Sequence, residues 1–167
     1  TVSHAQPLSV FAQPSDLTSC AFGPANFNAY FNGTSPQYQW ETYSYYFNNW
    51  VALNNSSYLD LFNNITFTAA GTNTPNLTIT NVFLGSHDGP LLYRCVGTGP
   101  CNAVVTNVVQ HTVCPGDFNC DGGIDGDDVI AMLSLWDLGD LGADINFDGG
   151  VDGDDVILFF GYWDAGC

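Results

Sequence analysis

The sequence predicts a mainly β N-terminal domain, of antiparallel sandwich or jelly-roll type, over residues 1–112, and a small all-α module with two loop–helix repeats over residues 113–167. Three observations predict it. Short runs of β-branched and aromatic residues, separated by Gly/Pro turn signals, fill the first region, as many short antiparallel strands require. A repeat with an offset of 27 residues fills the second, and each copy ends in a helical apolar period. Charge changes at the same place: thirteen of the 17 acidic residues lie between Asp117 and Asp164, and the one basic residue, Arg94, lies outside that stretch.

Residues 1–14 contain no Asp, Glu, Lys or Arg and read as an extended arm, with Leu8, Val10 and Phe11 available for burial. Such an arm packs either as a strand of its own domain or on the sheet edge of a neighbour. The stretch 22–32 fits a helix or a long loop, and 48–61 admits a short helical turn. Strands are expected over 38–47, 65–69, 77–84, 91–96 and 104–113, with turns at Gly71–Pro75, His87–Pro90 and Gly97–Pro100. In the run 38–47, Tyr38, Trp40, Thr42, Ser44 and Tyr46 face one way; Gln39, Glu41, Tyr43, Tyr45 and Phe47 face the other. The rings fit a sandwich core, a subunit contact or a sugar-stacking face.

In the second region Asp117-x-Asn119-x-Asp121-Gly122-x-Ile124-Asp125-x-x-Asp128 returns as Asp144-x-Asn146-x-Asp148-Gly149-x-Val151-Asp152-x-x-Asp155, and 13 of 21 aligned positions are identical. Each copy offers side-chain oxygens at loop positions 1, 3, 5, 9 and 12, a carbonyl at 7 and glycine at 6. That is the twelve-residue EF-hand arrangement for a hard cation. After each loop, Val129, Ile130, Leu133 and Trp136 recur as Val156, Ile157, Phe160 and Trp163, an apolar helical face that two helices can bury against each other. Clustered aspartates repel unless a cation balances them, so folding and metal binding are expected to be one event.

With Gly116 preceding the first loop, this region resembles a type I dockerin, in the Gly-Cys-terminated variant of bacterial surface proteins; the likeness covers about a third of the chain. It implies two calcium ions, one held by Asp117, Asn119, Asp121, the Gly123 carbonyl, Asp125 and Asp128. The other would be held by Asp144, Asn146, Asp148, the Gly150 carbonyl, Asp152 and Asp155. It also implies a cohesin-like partner bound through the helices. The chain departs from the family at loop positions 10 and 11, where Gly126-Asp127 and Gly153-Asp154 replace hydroxyl residues, and in having no basic residue on the helices.

Six cysteines in so short a chain favour disulfides and an oxidising compartment. Cys114 precedes the first loop by three residues and Cys167 follows Asp164 by three, so Cys114–Cys167 is the expected clasp, worth about 4 kcal/mol by loop-closure entropy. Cys95–Cys101 is expected as a local staple, which leaves Cys20–Cys120 to tie the β domain to the first loop.

A formal net charge of −16 with one basic residue disfavours nucleic acid and anionic membrane. No apolar run is long enough to span a bilayer. The first residues lack a signal-peptide pattern, so a secretory leader is expected to have been removed. Chemistry is sparse outside the loops. Asp16, Glu41, Asp60 and Asp88 show no pairing pattern for glycoside hydrolysis. Ser86-His87-Asp88 cannot stack a triad from adjacent positions, and His4, His87 and His111 lack ligand spacing. Asn32, Asn54, Asn55, Asn64 and Asn76 begin Asn-x-Ser/Thr sequons. The reading is a non-catalytic, extracellular, calcium-binding structural protein that self-assembles into a filament, tube or lattice. Its partners are other copies of itself or a cohesin-like domain. The alternative is a polysaccharide-binding module anchored by its dockerin to a scaffold.

Overall fold

The structure, a computed structural model, describes residues 4–20, 23–60, 65–84 and 90–166. In chain order the elements are β1 (Ser9–Ala12), β2 (Leu17–Cys20), β3 (Ala25–Asn28), β4 (Tyr30–Asn32), β5 (Gln37–Ser44), β6 (Asn49–Ala52), β7 (Ser56–Asp60) and β8 (Ile65–Ala70). They continue with β9 (Asn76–Leu84), β10 (Leu91–Thr98), β11 (Ala103–Val105), β12 (Val109–Cys114), α1 (Gly126–Leu138), a 3-10 turn (Leu141–Ala143) and α2 (Gly153–Ala165). The chain divides into two compact units: Thr1–Leu17 with Pro24–Thr112, and Thr18–Gly23 with Val113–Cys167.

The first unit is a β-sandwich. One sheet runs β12-β10-β5-β6 with β11 paired to β10, another runs β3-β9-β8-β7, and β1 pairs with β4. The pairs β1–β4, β5–β10, β3–β9 and β8–β9 are antiparallel, as period-two alternation with short turns demands. The sheets meet through Phe27 of β3 and Phe67 of β8 on one side and Tyr93 of β10 and His111 of β12 on the other. Ring centroids lie 5.3 Å apart for Phe27–Tyr93, 5.7 Å for Phe27–His111 and 6.3 Å for Phe67–Tyr93. Trp40 is fully buried, and its indole N–H donates to the Thr74 carbonyl at 3.0 Å, so the one polar atom of the ring is satisfied in the core.

Several expectations change. The stretch 22–32 contains β3 and β4, because Ala25, Phe27, Ala29 and Phe31 alternate inward. The stretch 48–61 contains strands β6 and β7 in place of a helical turn. The strand expected over 104–113 is broken into β11 and β12, with Thr106 buried between them and its hydroxyl accepting from Cys95 N–H at 2.9 Å. The aromatic strand stops at Ser44, and a turn carries Tyr45, Tyr46 and Phe47 outward. Of these rings Phe47 is 68 % exposed.

The arm forms strand β1, which pairs with β4 of its own chain. Its Leu8 is buried, and a Cβ placed on Gly99 would come within 2.8 Å of Leu8 Cγ, so glycine there leaves room for the arm. A register shift between Val10 and Ala12 turns Phe11 out, and that ring is exposed rather than buried.

In the second unit, Phe118, Met132, Ala143, Ile145 and Phe159 form the core. This corrects the helical face in part: Val129, Val156 and Trp163 do pack against that core. Ile130, Leu133 and Trp136, and likewise Ile157 and Phe160, are exposed to a third or more. The cause is Asp128 and Asp155, both fully buried because their carboxylates bind loop backbone. Once position 12 of each loop points inward, the residue four further on, Met132 or Phe159, lies on the same helix face and becomes the innermost.

Cys20 and Cys120 form a disulfide. Cys114 is disulfide-bonded, and its expected partner, Cys167, lies outside the described residues. The Cys95–Cys101 staple is absent and both thiols are free. Strand β10 runs straight on to Thr98, which places Cys95 in mid-strand, facing the core, and Cys101 in the hairpin turn. Three strand residues alone span about 10 Å, beyond disulfide reach.

Candidate metal centre

Each acidic loop folds by binding its own backbone. In the first, Asp117 accepts from Asp121 N–H and Gly122 N–H, both at 3.1 Å. Asn119 Oδ1 accepts from Asp121 N–H at 2.8 Å, and Asp121 Oδ1 accepts from Gly123 N–H at 3.0 Å. Gly122 has φ +94° and Gly149 in the second loop +91°, the left-handed turn that glycine adopts without strain. Loop position 4 is also left-handed in both copies, with Cys120 at φ 64° and Phe147 at 61°.

The loop-to-helix joint is a reciprocal cap. Asp125 is the N-cap of α1, its side chain accepting from Asp127 N–H at 2.8 Å. Asp128 answers by accepting from Asp125 N–H at 2.8 Å through Oδ2, and from Phe118 and Asn119 N–H at 2.7 and 3.0 Å through Oδ1. Asp152 and Asp155 repeat this at α2, with Ile145 and Asn146 N–H as the other donors. Negative side chains at a helix N-terminus also suit its dipole.

The second loop differs at one atom. Asp144 Oδ2 accepts from Gly149 N–H at 3.0 Å, while Oδ1 is buried with no hydrogen-bond partner. Asp144 as a whole is 8 % exposed. A buried carboxylate oxygen without a partner is costly, which makes this atom a point where a cation fits. The remaining oxygens suit a hard ion as well: Asn146 and Asp148 sit in the same local hydrogen-bond ladder as their counterparts, and Asp152 and Asp155 flank them.

All twelve sequence-assigned residues lie in these two loops and their caps. Among the described residues, no three His, Cys, Asp or Glu side chains converge closely enough to count as a metal cluster. Asn119, Asn146 and the carbonyls of Gly123 and Gly150 are outside such a count, and the carboxylates turn to the N–H groups named above.

Elsewhere the candidates are ordinary. Glu41 accepts from Arg94 Nε at 2.7 Å across β5 and β10, and the guanidinium lies 4.3 Å from the Trp50 ring centre. Asp16 accepts from Gln110 N–H at 2.8 Å. His4 is exposed, and His111 is buried, its pKa pushed down to about 4 by desolvation. Ser86, His87, Asp88 and Asn64 lie outside the described residues. Asn55 accepts from both the N–H and the hydroxyl of Thr72 and is a structural residue.

Sequence reasoning missed Trp136 and Trp163 as polar partners of the loops. The Trp136 indole N–H donates to the Asp152 carbonyl at 2.7 Å, and the Trp163 indole N–H to the Asp125 carbonyl at 3.2 Å. Their recurrence at the same place in both copies was the available signal.

No family model matches the chain, and no curated protein matches it. Among solved structures, a chimeric titin Z1Z2 carrying a decorin-derived peptide is similar at 11 % identity and TM-score 0.41, over 66 % of this chain and 97 % of that one. Tandem Ig repeats of Dlar are similar at 17 % identity and TM-score 0.44, over 66 % of this chain and 50 % of theirs. Titin M4 is similar at 19 % identity and TM-score 0.41, over 68 % and 99 %.

Proposed function

We propose that this is a non-catalytic, extracellular structural protein whose second unit binds two calcium ions and whose first unit assembles through protein–protein contacts into a filament, tube or lattice. The observation that carries the calcium reading is the buried, unpartnered Asp144 Oδ1 inside a loop whose duplicate places the same donors at the same positions. Asp117, Asn119, Asp121, the Gly123 carbonyl, Asp125 and Asp128 would hold one ion. Asp144, Asn146, Asp148, the Gly150 carbonyl, Asp152 and Asp155 would hold the other. Bound calcium supplies positive charge that offsets the mutual repulsion of these carboxylates. The chain's own part is to preset the loops: glycine makes the turn, the caps fix the helix start, and Asp128 and Asp155 pull each loop onto its helix.

Support for an extracellular setting is the Cys20–Cys120 disulfide. Among the described residues, no helix is long and apolar enough to cross a membrane. Support for assembly is a β unit with few charges and exposed rings at Phe11, Tyr46 and Phe47. Those rings also favour a second reading, a polysaccharide surface in a scaffold-anchored module. Imaging of the purified protein with calcium and with excess chelator separates the two. Ordered polymers that fall apart on chelation support assembly; monomers retained on insoluble polysaccharide support the second reading and overturn the first.

A further inference from the structure

The two loops are cross-linked by a pair of hydrogen bonds that obey the internal repeat. Trp136 lies near the end of α1, yet its indole N–H reaches the carbonyl of Asp152, the ninth position of the second loop. Trp163, its repeat partner on α2, reaches the carbonyl of Asp125, the ninth position of the first. The joint at position 9 is thereby held from three directions. Its own N–H donates to the position-12 carboxylate, its side chain caps the helix behind it, and its carbonyl is gripped from the opposite repeat.

Position 9 is where a loop becomes a helix. Any ion drawing on Asp152 and Asp155 must fix the orientation of that peptide, and the peptide is bound to α1. The same holds in reverse for Asp125, Asp128 and α2. Ordering one loop therefore orders the helix that grips the other, whose own ordering then costs less. Trp163 packs against the core of Phe118, Met132 and Phe159 without forming its buried centre, and Trp136 is 36 % exposed, so their indole N–H groups serve a purpose distinct from core filling.

We infer that Trp136 and Trp163 are positioning residues that couple the two loops, so that a divalent cation filling one raises the affinity of the other. This rests on the calcium reading above. Coupling is reciprocal by linkage, and the structure supplies one bond for each direction.

The test uses the full chain and calcium alone as the probe. Titration calorimetry of Asp117→Ala and Asp144→Ala gives the affinity of each loop with the other disabled. In the unmutated chain the product of the two stepwise constants should exceed the product of those single-loop constants by roughly tenfold, within the usual range of coupling. The same cycle in a Trp136→Phe/Trp163→Phe background keeps the rings and removes both N–H donors, and the excess should fall to about one. An excess near one in the unmutated chain, or an excess that survives both Phe substitutions, overturns the coupling while leaving calcium binding intact. Absence of any calcium binding overturns both readings together. If the Phe variants fail to fold, the indole N–H resonances of the unmutated chain decide the matter. They should shift together over one calcium range, and shifts at two separate ranges count against the coupling.

Discussion

Asn102 holds Leu8 on both sides of its backbone. The Asn102 side-chain oxygen accepts from Leu8 N–H at 2.6 Å, and its amide donates to the Leu8 carbonyl at 3.0 Å. The side chain of a hairpin residue thus imitates a neighbouring strand and seats the N-terminal arm, with Leu8 4 % exposed beneath it. Asn102→Ala should cost about 2 kcal/mol, since it removes two hydrogen bonds and strips both polar groups of Leu8. Deleting residues 1–14 should lower the denaturation midpoint of the β unit itself. A truncated chain with unchanged midpoint would mean that the arm contributes nothing to its own sandwich.

Excess chelator should abolish helical circular dichroism from α1 and α2 while leaving the β signal in place. The cause is four aspartates per loop at positions 1, 5, 9 and 12, whose repulsion is relieved by a cation. Asp117→Ala or Asp144→Ala should remove the calcium response of one loop. The measurement is run on oxidised and on reduced protein, because a disulfide within the second unit can hold a metal-free loop in place.

Asp128→Ala should destabilise the calcium-loaded second unit by at least about 3 kcal/mol. Three backbone N–H groups, of Phe118, Asn119 and Asp125, lose their acceptor at a fully buried site. Asp155→Ala should cost about the same by the repeat. Thermal melts of the variants in excess calcium check this, and a shift no larger than that of an exposed Asp127→Ala control counts against it.

Stability of the β unit should fall as the solution is acidified through the ordinary histidine range. His111 is buried neutral among Phe27 and Tyr93, which pushes its pKa down to about 4 from 6.5. The unfolded chain takes up the proton first, so the stabilising term is complete above pH 6.5 and is lost between 6.5 and about 4. The loss amounts to about 3 kcal/mol. The aspartates add their own pH dependence, and subtracting the profile of His111→Phe removes their share. Identical profiles for the two proteins would exclude His111 as the source.

Thiol labelling should find Cys101 reactive in the native protein and Cys95 only after unfolding. Cys101 is exposed, whereas Cys95 is buried and its pKa pushed up to about 12 by desolvation, which keeps it a thiol. Quantifying labelled sites by mass spectrometry, native against denatured, decides between this and a Cys95–Cys101 staple, which would leave both unlabelled.

What could be read in the sequence was local. The alternation around Trp40 showed which face carries that ring, and Gly122 and Gly149 stand where the loops need a left-handed turn. Strands β3 and β4 escaped notice because two of the four inward residues of the stretch 25–31 are Ala25 and Ala29, small side chains with weak strand preference. The helix faces were misjudged by weighing Ile130 and Leu133 for apolarity, when the inward turn of Asp128 sets the rotation and selects Met132. Spacing alone suggested a Cys95–Cys101 bond, and the length of β10 forbids it. The tryptophan bonds join residues 16 and 38 positions apart, a relation that no local pattern carries.

The Cys20–Cys120 bond spans 100 residues of chain, and the segment it encloses contains every strand from β3 to β12. Once β1 has peeled from β4, tension reaching Cys20 along the chain passes to Cys120 directly, and the enclosed strands bear none of it while the bond lasts. About 340 Å of extended chain is held in reserve. A protease cutting anywhere inside the loop likewise leaves one covalent molecule. The ring thereby shields the enclosed strands and puts the arm outside it under load first. Reduction of a single bond is what brings the sandwich under load.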